Sequence, residues 1–232
     1  MRGDDVPAVR GISLFSGMSD KHFDEVLRLA YLQRFPPQVQ LITEGDPADF
    51  LYIVLEGTVE LFASSNDRET TMMVLRPVST FILAAVLRDA VYLMSARTLD
   101  NARVLMIPAE NVRKAMETDP AFSHSMVAEL ANGYRSVIRT FKEHKLRTSV
   151  ERLANYLLRA NEQMAGGGQV KLTEDKRKLA AILGMTPENL SRAFSALRKH
   201  GVEVHGSRIE LTNLDALSQL AKPTPLIDNR TV

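Results

Sequence analysis

The segment between Leu172 and Leu211 constrains the fold most, because it contains signals for two capped helices and a hairpin in immediate succession. Thr173 is a candidate N-cap of a first helix, which Gly184 would end in a left-handed turn. Thr186 is a candidate N-cap of a second helix, and Pro187 would occupy its first position, where the missing N–H costs nothing. Apolar residues then alternate on either side of a glycine-containing turn, which is typical of a two-stranded wing. The segment therefore predicts a winged helix-turn-helix.

The outer face of the second predicted helix carries side chains that reach base edges or phosphates when a helix lies in the major groove. The wing turn adds further polar and basic side chains. The predicted DNA-contact residues are Thr186, Glu188, Asn189, Ser191, Arg192, Ser195, Arg198, Lys199, His205, Ser207 and Arg208. An ordinary helical hairpin with a solvated charged face is the alternative interpretation. Double-stranded DNA is the first predicted partner.

The sequence T-P-E-N-L-S-R at residues 186–192 resembles the recognition helix of the CRP/FNR family of bacterial transcription regulators. Its E-x-x-S-R form is similar to the FNR branch, whose half-sites resemble TTGAT. The resemblance implies that Arg192 reads guanine, that Glu188 accepts from a cytosine amino group and that Ser191 contacts a thymine-side edge. The chemistry agrees, because Arg is the bidentate partner of guanine O6 and N7 and Glu accepts from cytosine N4. The resemblance also implies RNA polymerase as a partner.

Composition limits the class of protein and its chemistry. The chain has 232 residues, of which 45% are hydrophobic and 25% charged, as in a globular protein of one large or two modest domains. No apolar run approaches the roughly 20 residues that span a bilayer, and the first residues lack the apolar core of a signal peptide. We therefore expect a cytoplasmic protein without a membrane partner. The absence of cysteine excludes disulfides, thiolate zinc sites and the iron–sulfur cluster of the FNR branch.

Positive charge is concentrated toward the predicted DNA-binding end. The net charge of the chain is only +1, but the segment from Lys142 to Arg208 contains 13 Lys and Arg against 7 Asp and Glu. A phosphate-binding surface requires such an excess.

The N-terminal half changes from a helical to a strand pattern. A helix capped by Ser19 or Asp20 precedes short apolar runs separated by turn residues, a pattern typical of a barrel or jelly roll. These runs are Leu41–Ile42, Leu51–Leu55, Val59–Phe62, Met72–Leu75 and Val104–Ile107. Residues 42–46 and 52–59 are similar to the β-roll of the cyclic-nucleotide-binding domain. Gly45 and Gly57 are expected to supply positive φ in its turns.

The predicted β-roll lacks the residues with which the family binds a cyclic nucleotide. There, a Gly-Glu pair binds the ribose and an Arg-Ser or Arg-Thr pair binds the phosphate. A gap-free alignment backward from Val104 and Ile107 places residues 81–82 at the first pair and residues 92–93 at the second. A cyclic phosphate would lose its charge-assisted hydrogen bonds there and would be desolvated without a partner. Cyclic AMP is therefore predicted not to be the effector.

Apolar and aromatic residues occupy these positions and suit a flat hydrophobic molecule, such as an aromatic acid or haem. The predicted effector-pocket residues are Phe81, Ile82, Leu83, Arg88, Tyr92, Leu93 and Met94. Arg88 or Arg97 is a candidate partner for a carboxylate, although a surface ion pair is the alternative for each. A filled core without a ligand also stays open. The effector is thus unknown, and a haem-based gas sensor or a ligand-independent regulator are alternatives.

No pattern of residues indicates an enzyme. A catalytic β-roll needs clustered His and carboxylate metal ligands, but none of the five histidines lies within residues 35–108. Nothing resembles a nucleophile elbow, a P-loop or a dinucleotide-binding turn, and the glycines at 166–168 are interpreted as a hinge before a strand. We expect neither a catalytic site nor a metal site. A ligand-binding module with incidental basic charge is the remaining alternative.

A long helix is predicted from Pro120 to about Arg147, because no proline interrupts this stretch. Its apolar residues repeat at alternating spacings of three and four, which indicates the seam of a two-stranded coiled coil and hence a homodimer. The predicted seam residues are Val127, Leu130, Tyr134, Val137, Phe141 and His144. An intramolecular seam against the roll is the alternative. A further amphipathic helix is expected over residues 150–163, and residues 223–232 are expected to form a loose tail.

The sequence thus predicts an α+β chain with three parts. Residues 1–118 would form a double-stranded β-helix (jelly-roll β-roll) sensor domain, residues 119–147 a dimerisation helix and residues 148–222 a winged helix-turn-helix DNA-binding domain. The predicted function is that of a dimeric transcription regulator controlled by a small effector other than cyclic AMP.

Overall fold

In the computed structural model, which describes residues 5–66, 68–164 and 166–229, the chain divides into two compact units between Tyr134 and Arg135. The division lies inside the predicted dimerisation helix. The domain boundaries at 118, 147 and 222 stay a prediction.

The first unit consists of two four-stranded antiparallel sheets accompanied by short helices. Its helices are α1 (Val6–Arg10), α2 (Asp20–Val26), α3 (Leu83–Arg88), α4 (Ala109–Thr118) and the first part of α5 (Pro120–Leu146). Its strands are β1 (Tyr31–Phe35), β2 (Gln40–Ile42), β3 (Phe50–Glu56), β4 (Val59–Ser65), β5 (Arg68–Leu75), β6 (Ser79–Phe81), β7 (Ser95–Thr98) and β8 (Ala102–Pro108). The strand orders are β1-β8-β3-β6 and β2-β7-β4-β5.

These sheets confirm the predicted β-roll. Each of the five apolar runs lies in a strand, and β3 pairs with β8 so that Ile53 faces Leu105, both fully buried. Ser19 caps α2 by accepting a hydrogen bond from the backbone N–H of His22. Gly57, between β3 and β4, has a φ of +77°, and a Cβ on it would lie 2.7 Å from the Cα of Ala102. This turn therefore requires glycine, both for its positive φ and because there is no room for a Cβ atom.

Three helices of the first unit were not predicted from the sequence. They are α1, α4 and α3, and the residues of α3 were interpreted as a pocket lining. Ile82 and Asp89 flank α3 with positive φ values of 64° and 50°. The periodicity of a short apolar run is the same for a strand and for a buried helix segment. For this reason the sequence did not identify α3 as a helix.

The second unit consists of helices around a three-stranded antiparallel sheet. It contains the second part of α5, α6 (Ser149–Gln163), β9 (Gln169–Lys171), α7 (Lys176–Ile182), α8 (Pro187–Leu197), β10 (Val202–His205), β11 (Arg208–Leu211), α9 (Leu214–Ala221) and α10 (Pro225–Asp228). The strand order is β10-β11-β9. Fully buried leucines of α6, α7 and α8 form its core, among them Leu153, Leu179 and Leu190. These elements confirm the predicted winged helix-turn-helix.

The start of α7 differs from the prediction. Asp175 is the N-cap, and its Oδ1 accepts a hydrogen bond from the backbone N–H of Lys178 at 2.8 Å. The hydroxyl of Thr173 instead donates to the side chain of Glu174. Both Thr and Asp are good N-cap residues, and two of them two positions apart leave the start of a helix ambiguous. The prediction of Thr173 as the N-cap was wrong.

The C-terminal segment also differs from the prediction. Residues 225–228 form α10, Ile227 is buried, and the Asp228 carboxylate is hydrogen-bonded to Arg147. The prediction of a loose tail was therefore wrong for this part, and its residues 230–232 lie outside the described residues. No helix in the described ranges is both long and apolar enough to cross a membrane.

Candidate DNA-binding surface and sensor interior

One side of α8 is packed and the other is free. Thr186 is its N-cap, accepting from the backbone N–H of Asn189 at 3.2 Å, and Pro187 is its first residue, both as predicted. The buried side chains are Leu190, Ala193, Phe194 and Leu197. Because these residues are spaced three or four positions apart, they lie on one face of the helix, and the opposite face points away from the core.

All eleven predicted DNA-contact residues are exposed in the second unit. Six of them lie at the N-cap of α8 or on its outer face, Arg198 and Lys199 lie in the 3-10 turn that follows it, and three lie in the wing turn. None is occupied in core packing. Their contacts with DNA stay a prediction.

The three residues of the E-x-x-S-R pattern lie on adjacent turns of this face. Glu188 and Arg192 are four residues apart, about one helical turn. Arg192 Nη2 donates to Asn189 Oδ1 at 2.7 Å, which orients the guanidinium. A hydrogen bond from its own backbone N–H lowers the pKa of Glu188, and Thr186 acts in the same direction. Glu188 is therefore ionised at neutral pH, the state that accepts hydrogen bonds.

The wing has three strands, one more than the sequence predicted. Gly206 turns the β10–β11 hairpin with a φ of +66°, and His205 lies opposite Arg208. Strand β9 pairs with β11 on the other side and places Lys171 opposite Arg208. Side chains of directly opposed residues share a face, so Lys171 adds a cation to the exposed wing face. The sequence analysis expected a strand after the glycines at 166–168 but did not assign it to the wing, so Lys171 was not among the predicted DNA-contact residues.

Acidic side chains occupy the base of the same hairpin. Glu203 and Glu210 lie directly opposite each other, and His205 Nε2 lies 3.6 Å from Glu203 Oε2. All three side chains are exposed, and their ligand atoms lie within 4.8 Å of one another. Exposed groups of this kind are common in proteins without a metal.

Five of the six predicted dimer-seam residues are exposed large apolar side chains. Val127, Leu130, Tyr134, Val137 and Phe141 have exposed fractions of 41–68%. Monomeric proteins rarely leave such a row of large apolar side chains in water. This exposure disfavours the alternative of an intramolecular seam.

His144, the sixth predicted seam residue, has a different environment. Its Nε2 lies 2.7 Å from the position that a Cβ on Gly184 would occupy, so its ring packs against the turn between α7 and α8. Burial lowers the pKa of His144, and the charge of Arg152 acts in the same direction. His144 therefore contacts the helix-turn-helix of its own chain.

The predicted effector-pocket residues divide into two groups. Phe81, Leu83 and Tyr92 are buried in the core of the roll, and Ile82 and Met94 pack against it. By contrast, the side chains of Arg88 and Leu93 are exposed, Leu93 by 78%. Five of the seven predicted effector-pocket residues therefore lie in or against the core of the roll, and Arg88 and Leu93 lie on its surface.

Aromatic rings fill part of the roll interior. Tyr52 stacks on Phe81 with ring centroids 5.2 Å apart. Burial raises the pKa of Tyr92 as well as that of Tyr52, and the two phenols share a hydrogen bond. The effector pocket stays a prediction, and the filled core stays its alternative.

Arg97 is engaged by carboxylates of its own sheet. Its guanidinium lies 2.7 Å from Glu60 and 2.6 Å from Glu69, above the ring of Phe62. This confirms the ion-pair interpretation of Arg97 and removes it as a free partner for a ligand carboxylate.

Comparisons with known proteins agree with both units. Residues 32–119 match the family model described as cyclic nucleotide-binding domain, and residues 151–220 match the Crp-like helix-turn-helix domain. A Thermus thermophilus protein named cyclic AMP receptor protein is 27% identical over 218 residues, covering 92% of this chain and 98% of that protein. The transcriptional activator protein anr of Pseudomonas aeruginosa is 21% identical over 186 residues, covering 78% of this chain and 76% of that protein.

Among solved structures, FixK2 from Bradyrhizobium japonicum superposes with a TM-score of 0.69 at 23% identity, covering 85% of this chain and 100% of that one. At this identity the likeness shows the fold. The two family models match in the same order as the two units of the structure. The chain therefore belongs to the CRP/FNR family of DNA-binding transcription regulators.

Proposed function

We propose that the protein binds an FNR-like palindrome as a homodimer, with one α8 helix in the major groove of each half-site. The observation that supports this most is the exposed outer face of α8, on which Glu188, Ser191 and Arg192 stand in the E-x-x-S-R pattern. Arg192 would bind guanine O6 and N7, and Glu188 would accept from cytosine N4. A Glu on a DNA-facing helix repels phosphates, so its place there is best explained by base reading.

Binding to three DNA duplexes at one fixed salt concentration tests this proposal. Fluorescence anisotropy would compare a TTGAT…ATCAA palindrome, the same duplex with one half-site scrambled, and random DNA. We expect the palindrome to bind at least about 10³-fold more tightly than random DNA, with the single half-site between them. Equal affinity for all three would show that only phosphates are contacted, and the proposal would fail.

The exposed apolar face of α5 supports the homodimer. A second copy of the same helix, related by a two-fold axis, would cover Leu130, Val137 and Phe141 with their own counterparts. The two recognition helices would then lie about one helical turn of DNA apart, as a palindrome requires. Such a dimer would work in the cytoplasm, where bacterial DNA lies, with RNA polymerase as its downstream partner. We propose no catalytic activity.

For control of DNA binding, we propose a small effector other than cyclic AMP. The buried rings of Phe81 and Tyr92, and the engagement of Arg97 by two carboxylates, support this proposal, because none of these groups offers a charge to a phosphate. An effector that binds the roll would favour one arrangement of the roll on the dimer helices and so alter the spacing of the recognition helices. A regulator with a filled core is the second candidate, favoured by the stack of Tyr52 on Phe81.

We expect cyclic AMP at millimolar concentration to give no binding heat and no change in melting temperature. The physical reason is the desolvation of a phosphate that finds no cationic or hydrogen-bonding partner. Isothermal calorimetry and differential scanning fluorimetry measure this, because any ligand of the folded state raises the melting temperature by mass action. Binding at micromolar concentration would contradict the prediction and would place a phosphate site elsewhere in the roll.

A further inference from the structure

One aspartate of the C-terminal helix binds arginines from two other elements. Arg147 is the single residue between α5 and the N-cap of α6, and its side chain is only 6% exposed. Its Nη1 and Nη2 donate to Asp228 Oδ1 and Oδ2 at 2.8 and 2.6 Å. Arg159 of α6 donates to Asp228 Oδ1 at 2.7 Å. The two-pronged pair and its burial make this contact stronger than an ordinary surface ion pair.

The aspartate is held ionised and in place. Although burial acts in the opposite direction, the hydrogen bonds from Arg147 and from the backbone of Thr224 lower the pKa of Asp228. The neighbouring side chain of Ile227 is buried, which anchors α10 by an apolar contact as well. The C-terminal helix is therefore docked on the junction of α5 and α6 by both charge and packing.

This junction is connected to the turn that precedes the recognition helix. Arg152 of α6 donates to the backbone carbonyl of Arg147 at 3.0 Å. The same guanidinium donates to the carbonyls of Leu183 at 3.0 Å and Gly184 at 3.3 Å. A movement of Arg147 would thus be transmitted through one side chain to the start of α8.

A second carboxylate lies beside the same two arginines and forms ion pairs with them, but no hydrogen bonds. Within the described part of the chain, Glu143 Oε1 is buried, accepts no hydrogen bond, and lies 3.7 Å from both Arg147 Nη1 and Arg159 Nη2. A buried carboxylate oxygen without a hydrogen bond is costly. Both of its neighbouring guanidinium groups are already hydrogen-bonded to Asp228. Glu143 and Asp228 therefore compete for one pair of cations, and we call these four residues the junction cluster.

We propose that Asp228 is a positioning residue for DNA binding. Docked on Arg147 and Arg159, it holds the α5–α6 junction in the arrangement that fits a palindrome. When α10 leaves, Glu143 is already ion-paired with both arginines and can accept the hydrogen bonds that Asp228 gives up, so no cation is left buried and unpaired. That exchange makes a second arrangement of the junction accessible. With Asp228 as the only acid, undocking of α10 would leave the buried arginines unpaired, which is costly. This inference rests on the proposed binding of a palindrome.

Three single variants of the full-length chain test the inference. They are Asp228→Asn, Glu143→Gln and, as a control with the same charge change, Asp215→Asn on the exposed first turn of α9. We expect Asp228→Asn to weaken palindrome binding about tenfold and to leave single half-site binding within about twofold, because only the palindrome needs both recognition helices placed together. Glu143→Gln should bind the palindrome at least as tightly as the wild type, since it removes the competitor. Asp215→Asn should match the wild type on both duplexes.

Opposite effects of two acids on the same arginines distinguish a positioning role from a structural one. Loss of affinity by Asp228→Asn on both duplexes would indicate a damaged DNA-binding unit and overturn the inference. Unchanged or tighter palindrome binding by Asp228→Asn, or equal losses in the Asp228 and Glu143 variants, would overturn it as well.

Spin-label distances report on the junction directly. The chain has no cysteine, so Ser136→Cys on α5 and Gln219→Cys on α9 can be labelled without interference. In dimers diluted with unlabelled chain, Asp228→Asn should broaden the distance distribution or shift it, and Asp215→Asn should not. An unchanged distribution would overturn the inference. If the wild type does not prefer the palindrome, the proposed function fails, and this measurement still decides whether Asp228 fixes the junction.

Discussion

The Val137→Asp variant is expected to be monomeric and to lose tight binding to the palindrome. Val137 lies in the exposed apolar row of α5, near the middle of the proposed dimer face. The substitution would bring two carboxylates together across the two-fold axis, in a surface that the dimer removes from water. A monomer engages one half-site at a time, so palindrome affinity should fall by roughly 10²- to 10⁴-fold with the loss of the second contact. Light scattering and anisotropy measure the two effects.

The neighbouring residue provides the control for this substitution. Ser136 is exposed but stands outside the three-and-four spacing of the apolar row, so Ser136→Asp introduces the same charge beside the interface. This variant should remain a dimer and bind the palindrome. A Val137→Asp protein that is still dimeric by light scattering would mean that the interface lies elsewhere.

The Arg192→Ala variant is expected to lose about 1–3 kcal/mol of palindrome binding and to discriminate poorly at the guanine of each half-site. Arg192 is exposed on α8, and Asn189 already orients its guanidinium. Truncation removes a donor that can form two hydrogen bonds with guanine O6 and N7. No other base offers this pair of acceptors in the major groove. The measurement is the affinity for four duplexes that differ only at this base pair, with the wild type showing a preference and the variant nearly none.

Arg198→Ala separates base reading from phosphate binding. Arg198 lies in the 3-10 turn after α8 and is exposed, so we expect it to contact phosphate. Its loss should weaken binding to all four duplexes alike and reduce the dependence of log affinity on log salt by about two units, one for each subunit of the dimer. If Arg192→Ala behaves in this same uniform way, Arg192 touches only the DNA backbone.

The features that could be predicted from the sequence are those encoded over a few residues. Thr186 and Pro187 fix the start of α8 through local geometry, and Gly206 fixes the wing turn by its positive φ. The strands of the β-roll were found because apolar runs and turn residues alternate along the chain. These signals need no knowledge of what the segment packs against.

The features that could not be predicted depend on residues far apart in the chain. Asp228 binds Arg147 across 81 residues and Arg159 across 69, so nothing near the C-terminus indicates that α10 is docked. The pairing of Lys171 with Arg208 also joins residues that are far apart in the chain. The environment of His144 likewise depends on Gly184, which comes 40 residues later in the chain. Periodicity placed His144 on the apolar face but could not show which neighbour it meets.

In the interior of the roll, the apolar sequence pattern predicts which residues can be buried but not whether they form a packed core or a ligand pocket. Phe81 and Leu83, which the sequence analysis assigned to an effector pocket, belong to the core of the roll. An apolar side chain fits a packed core and a ligand pocket equally well, so composition alone does not separate the two. Leu93 is exposed because of how the surrounding chain folds, and this cannot be predicted from its residue type.

The hydrogen bond between Asn189 and Arg192 has a thermodynamic consequence. Arginine is among the side chains that lose most conformational entropy when they are immobilised. Because Asn189 holds the guanidinium at 2.7 Å in the free protein, part of that entropy is lost when the chain folds, before any DNA arrives. The remaining entropy loss on binding is smaller, and the slope of binding free energy against temperature is shallower. Recognition of the guanine should therefore persist on warming better than a freely rotating arginine would allow.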